Sequence, residues 1–285
     1  MMLPESIPSV CRLRAPSRAL IFTLLSGAAI SCALPSLAQS NDAVTIRRVY
    51  HKGDVDRYRV LFHTKSGVDS SGADRAVDFN GLLRETTRET RDDGSAIVQY
   101  DFERAIVKLG DNAMDATQFL TSITATHDRF GVVLASKAAV ESVSPLAPTL
   151  DFSQLLANAQ RGFFPERPVR VGETWPVEGK ESIQAGKVTV KGQATLAAIE
   201  DVGGVRTYRI KSVTDTVLDL GEKQLAQSGP GKGHFDIVGN VDTATGKLIK
   251  MTGAVEADLP ALGHAIFVLD ISLTRPADSK SAAIR

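Results

Sequence analysis

The chain has 285 residues, 43% of them hydrophobic, and 33 basic residues balance 33 acidic ones. That balance argues against a nucleic-acid partner, whose phosphates call for a basic face. The length permits one large domain or two small ones, either able to bury a substantial core without disulfides.

The first residues have the three-part form of a secretory leader. Arg12, Arg14 and Arg18 make a cationic start, and the 16 residues from Ala19 to Leu34 are uncharged and apolar or small. Ser36 and Ala38 then stand three residues and one residue before a cleavage after Ala38. The apolar run is shorter than the roughly 20 residues a membrane-spanning helix needs, which favours cleavage over a permanent anchor. Cys32 would be the lipidated residue of a lipoprotein, but Ala29 replaces the usual Leu there, and Cys32 lies deep inside the apolar run. Cleavage removes Arg12, Arg14, Arg18 and Glu5, leaving 30 basic and 32 acidic residues, a net charge near −2. It also removes Cys11 and Cys32, the only two cysteines. A chain without thiols excludes disulfides, Cys-type metal sites and Cys nucleophiles. The expected location is the periplasm or the exterior, with no transmembrane span after leader removal.

Period-2 alternation dominates the chain beyond the leader and predicts strands. Tyr58, Val60 and Phe62 share one face of a strand from Arg57 to His63. Val98, Tyr100 and Phe102 share one face of the next strand, from Ile97 to Leu109, whose apolar phase then shifts to Ala105, Val107 and Leu109. A one-residue β-bulge near Glu103 and Arg104 reconciles the two halves.

Asp151 can cap a helix from Phe152 to about Gly162, ended by Pro165 and Pro168. Beyond it, Val188, Val190, Ala194 and Leu196 alternate, as do Phe235, Ile237 and Val241. A tight turn from Asp242 to Gly246 leads to Ile249, Met251 and Val255, and Gly246 can take the left-handed conformation that closes such a hairpin. Phe267, Leu269, Ile271 and Leu273 form one more strand, completing an antiparallel meander. Turn cues at Asp128 to Gly131 and at Asp242 to Gly246 echo each other, through two related β units or through the common chemistry of β-turns.

The sequence therefore predicts a mainly β fold: an antiparallel, curved sheet or partly open barrel with one connecting helix around residues 152–162. Its parts are a signal peptide (1–38), an N-terminal β-rich half (39–149), a helical connector (150–166), a C-terminal antiparallel β half (167–276) and a disordered tail (277–285). The strand from Gly263 to Thr274 carries Ile266 and Val268 on the face opposite Phe267. Something apolar is thus expected to cover the sheet there, either the Asp151 helix or a bound ligand.

No chemical signature stands out, and no catalytic, cofactor-binding or metal-ligating residue is assigned. His51, His63, His127, His234 and His264 form no pair at metal-ligand spacing. No serine sits in a Gly-x-Ser-x-Gly elbow. Gly229, Gly231 and Gly233 lack the spacing of a phosphate loop and lead into a strand at His234 and Phe235. Asn240 and Asp242 lack the glycine of an EF-hand. Trp175 reads as a core anchor beside a turn.

Three stretches carry a resemblance. They are Phe164 to Trp175 (Phe-Pro-Glu-Arg-Pro-Val-Arg-Val-Gly-Glu-Thr-Trp), Gly233 to Ile237, and Thr245 to Ile249. Together, over roughly Asp151 to Met251, the chain resembles a group of exported bacterial proteins with a domain of unknown function. The resemblance implies a short helix followed by a β-rich half that ends in a hairpin, and it supplies no catalytic residue.

The residues point first to a non-enzymatic protein of the cell envelope that holds an apolar small molecule or an envelope protein partner on its sheet. The alternative is a secreted hydrolase assembled from dispersed residues, with His234 or His264 working with Asp236 or Asp270. His264 and Asp270 share a face, but six residues of extended strand separate them by about 20 Å.

Overall fold

A computed structural model of the chain describes residues 42–68, 74–120, 122–138, 159–183, 186–219, 231–259 and 263–274. The leader with Cys32, the body of the expected helix at 151–158 and the tail at 277–285 lie outside the described residues. All described residues belong to the unit Gln39–Arg285.

Twelve strands make one antiparallel sheet. They are β1 (Val55–Val68), β2 (Asp74–Thr90), β3 (Ala96–Leu109), β4 (Asn112–Asp115), β5 (Ile123–His127), β6 (Val133–Ala138), β7 (Thr174–Ile183), β8 (Gly186–Val202), β9 (Val205–Asp219), β10 (Gly231–Asp242), β11 (Leu248–Leu259) and β12 (Gly263–Leu273). Their order across the sheet is β6-β5-β3-β2-β1-β12-β11-β10-β9-β8-β7, with β4 on the side of β3. The sheet does not close, since β6 and β7 end the path. The meander expected of the last three strands is present as β10, β11 and β12. β12 also pairs with β1, so the first and last strands lie side by side. The expected bulge falls where the phase of β3 changes: Leu83 faces Phe102 and Leu82 faces Arg104, which leaves Glu103 unpaired.

Alternation places one side chain in two on an inner face. Tyr58, Val60, Phe62, Phe235, Ile237, Leu269 and Ile271 are all buried there, in one core with Trp175 and Leu196. Burial at about 25 cal/mol per Å² of apolar surface makes this face the main source of stability.

The sheet is curved, and two adjacent phenylalanines establish it. The ring of Phe163 packs on Gly239 of β10, where any Cβ would collide with it. The ring of Phe164 lies 3.0 Å from where a Cβ of Gly131 would stand, in the turn between β5 and β6. Those two strands are six places apart in the sheet, about 29 Å in a flat sheet with ~4.8 Å between neighbours. Only a curled sheet brings both within reach of two consecutive residues.

The segment from Ala159 to Glu173 fills the hollow at one end of the strands. The expected helix survives among the described residues as Ala159 alone, and the chain turns at Gly162 with φ 87. Phe163 is fully buried, and the indole N–H of Trp175 donates to the Gly162 carbonyl at 2.8 Å. An arm from Val44 to Tyr50 runs beside this plug. Val44 exchanges both backbone hydrogen bonds with Val169, and Ile46 is fully buried.

Among the described residues nothing covers Ile266 and Val268, and the body of the helix expected there lies outside them. These two side chains are 39% and 49% exposed, and Phe163 packs on the opposite, inner face. The reason is the pleat: Phe267 and Leu269 are buried and point inward, so the side chains between them must point out.

Gly246 adopts φ 65, as its turn requires, and a Cβ there would run into the backbone carbonyl of Arg47. Gly110 has φ 56 but open space around it. Gly110→Ala is therefore expected to cost only left-handed strain, about 1 kcal/mol, and Gly246→Ala at least twice that because the arm must also shift. Urea unfolding of the two variants checks the difference.

Candidate functional site

Two places on the inner face combine burial with unusual chemistry. The first lies at the plugged end. Asp56 and Glu85 are direct register partners on β1 and β2, and each is mostly buried, with 14% and 13% of its side chain exposed. Two carboxylates on an apolar face demand a cation. The arm supplies Arg48, whose Nη2 donates to Glu85 Oε1 at 2.6 Å and lies 4.0 Å from Asp56. Lys247, from the turn after β10, closes the group from the other side at 2.9 Å from Asp56 and 3.2 Å from Asp54.

Phenols and a histidine complete this cluster. The Arg48 guanidinium stands over the Tyr50 ring, 5.0 Å from its centre. Tyr100 and His127 are joined through the phenol oxygen and Nε2 at 2.9 Å, and His127 Nδ1 lies 3.2 Å from the Gly131 carbonyl. A carbonyl only accepts, so Nδ1 carries the proton, Nε2 accepts, and Tyr100 donates. Burial disfavours the Arg48 cation, but Glu85 and the phenols of Tyr58, Tyr50 and Tyr100 outweigh it, and its pKa stands above the ordinary value. Burial raises the pKa of Tyr50, Tyr58 and Tyr100.

Burial also lowers the His127 pKa from its ordinary 6.5, opposed by the bond to Gly131. The folded protein binds this proton less readily than the unfolded chain, so the stabilisation is complete above about pH 6.5 and is lost as pH falls below it toward the folded value. His127→Phe should therefore flatten that part of the stability profile, measured as urea midpoints at pH 7.5, 6.5 and 5.5 against the parent.

The second place is the rest of the inner face, toward the other end of the strands. Phe62 stacks on Phe267 with centroids 5.3 Å apart, and Phe79 meets Phe102 edge-on at 5.4 Å. Register carries the row from Phe79 to Val107 and on to Met114, and the row above it from Val77 to Leu109. Leu109 and Met114 are 45% and 42% exposed, so the apolar surface continues to the rim. Thr64, also on this face, is buried with no hydrogen-bond partner for its Oγ1.

The histidines singled out from the sequence are placed elsewhere. His234 pairs with Asp215 at 2.8 Å and His264 with Asp258 at 3.0 Å, rather than with Asp236 and Asp270. His63 pairs with Asp78 at 2.5 Å, and His51 lies 3.6 Å from Asp54. All four histidines are solvent-facing, and the first three of these pairs join neighbouring strands in separate places. Asp236 instead lies 3.5 Å from Lys211. Among the described residues no group of three or more His, Cys, Asp or Glu could hold a metal ion. Trp175 is buried and structural, as its sequence context suggests.

Sequence reading missed Arg48, Glu85 and their phenols. The available signal was the inward phase of β2, where Phe79, Gly81 and Leu83 are followed by Glu85, and of β1, where Asp56 precedes Tyr58 and Val60. A charge on an apolar stripe announces a buried partner, although nothing local identifies it.

No protein-family model matches the chain, and no curated protein matches it. Several solved structures are similar in part. Lipovitellin, described for its lipid–protein interactions, superposes with a TM-score of 0.45 at 10% identity over 79% of this chain. The chain spans only 25% of that protein. DynF from the dynemicin biosynthesis pathway of Micromonospora chersina gives 0.22 at 10% identity, covering 85% of this chain and 93% of DynF. A mutant porin from Rh. blastica gives 0.25 at 10% identity, covering 78% of this chain and 99% of the porin. None of these superpositions reaches the agreement that marks a shared fold.

Proposed function

We propose that the protein is a non-enzymatic binding protein of the cell envelope that holds an apolar small molecule against the inner face of its curved sheet. The observation that carries this reading is the continuity of that face. Its aromatic pairs, Phe62 with Phe267 and Phe79 with Phe102, run in register to Leu109 and Met114, which remain exposed at the rim. Exposed apolar side chains continuous with a concave apolar surface are how ligand sites in β folds commonly begin. Among the described residues the His–Asp pairs are solvent-facing and dispersed, and they give a hydrolytic arrangement no focus.

The reading includes export, with the leader removed after Ala38. The mature protein should then begin at Gln39 and be recovered outside the cytoplasm, which intact mass and fractionation measure directly. Native mass spectrometry of protein purified gently from that compartment is the functional test. A co-purifying molecule released into organic solvent supports the proposal. Protein that carries nothing, and that takes up no long-chain alkane or lipid when challenged, overturns it.

A further inference from the structure

The hairpin of β5 and β6 is fastened to the rest of the molecule at few points. It pairs with the sheet over five register positions, Ile123 to His127 against Ala96 to Tyr100 on β3, and β6 ends the path of the strands. Of its described side chains only Ala125 and His127 are buried, at 2% and 7% exposure, whereas Leu134 to Lys137 are exposed. The turn is bonded to itself: Asp128 Oδ1 accepts from the backbone N–H groups of Phe130 and Val132, each at 2.8 Å. An element with so little buried surface opens at a fraction of the global unfolding free energy, and a turn bonded to itself can move as a unit.

His127 is the one large buried side chain among them, and it titrates. Its ring lies 6.0 Å from that of Tyr50 in the arm and 5.9 Å from that of Tyr100 on β3, centre to centre. Its Nδ1 donates to the Gly131 carbonyl, and the Phe164 ring of the plug rests on Gly131. Burial, the largest influence on the ring, opposes a cation there, and Arg48 of the arm adds to that opposition. The Gly131 carbonyl, Glu85 on β2 and Asp128 in the turn favour one. Arg47 of the arm and Arg129 of the turn lie against the neighbouring Phe130 ring.

A proton arriving at Nε2 removes the acceptor that Tyr100 uses, and the phenol must turn its own proton away. The same proton is taken up without that cost once the ring reaches water. We propose that the β5–β6 hairpin is an acid-released flap: protonation of His127 frees it from β3, the arm and Phe164, while β8 to β12, β1 and β2 keep their pairing. The closed hairpin binds the proton less readily than the open one. Opening is therefore least above about pH 6.5 and rises by up to about tenfold per pH unit as the pH falls below that value.

The test is hydrogen exchange of the full mature protein at pH 7.5 and 5.5, read by peptide mass spectrometry and corrected for the pH dependence of chemical exchange. The expected result is that protection of Ile123–Ala138 falls roughly three- to tenfold at pH 5.5, while peptides of β10 and β11 keep theirs. His127→Gln and His127→Phe, neither of which titrates, are each expected to lose the pH dependence, whatever their protection at pH 7.5. A change below about twofold in the hairpin of the parent overturns the inference. An equal fall in either variant also overturns it, since another group would then be responsible. A fall shared by β10 and β11 overturns it too, because the whole sheet would be opening rather than its edge.

Discussion

Glu85→Ala is expected to destabilise the protein by about 3–5 kcal/mol, because it strands the Arg48 guanidinium in the interior without its nearest carboxylate. Asp56 cannot substitute, since it lies 4.0 Å from Arg48 and is already held by Lys247 at 2.9 Å. Against a total stability of about 5–15 kcal/mol for an ordinary domain, such a loss is severe. The cycle with Arg48→Met separates the pair from its members. Removing both charges should cost clearly less than the two single losses added together, because no lone buried charge remains. Urea unfolding of the four proteins measures this. A Glu85→Ala cost below about 1 kcal/mol is what an exposed ion pair would give, and it would mean that the arm does not close over the sheet.

Phe163→Ala is the second large effect, at about 3–5 kcal/mol for a fully buried ring deleted from a packed core. Its ring fills the space that Gly239 leaves open, so neither residue can change alone. The same substitution frees the turn at Gly162, whose carbonyl receives the indole proton of Trp175. Trp175 is the only tryptophan, so its emission reports on this contact alone. A red shift together with the lost stability is expected, and unchanged emission with a loss under 1 kcal/mol would contradict the plug.

Strands are legible in the sequence because burial on one face writes a two-residue period into it, from Tyr58-Val60-Phe62 to Phe267-Leu269-Ile271. The Glu103 bulge is legible for the same reason, since a phase change inside one strand has few other causes. The Gly246 turn is legible because only a residue without Cβ sits easily at positive φ. Partners across strands are not. His264 meets Asp258 because β11 and β12 align them, and six residues of spacing do not encode that alignment. The side of the sheet that receives the plug is hidden because Ile266 and Val268 look like half of a buried face. Gly239, the gap between Ile237 and Val241, marks the true contact, since a glycine inside a strand signals a close approach. The Arg48 cluster depends on an arm with no periodicity, and only the charges at Asp56 and Glu85 hint at it.

Photolabelling with a diazirine-bearing long-chain alkane, mapped by peptide mass spectrometry, tests the site assignment most directly. Labels on Phe62, Phe79, Phe102 or Met114, competed away by unlabelled monoolein, are the expected result. Labels confined to Ile266 and Val268 on the outer face, or none that competitor removes, would contradict it.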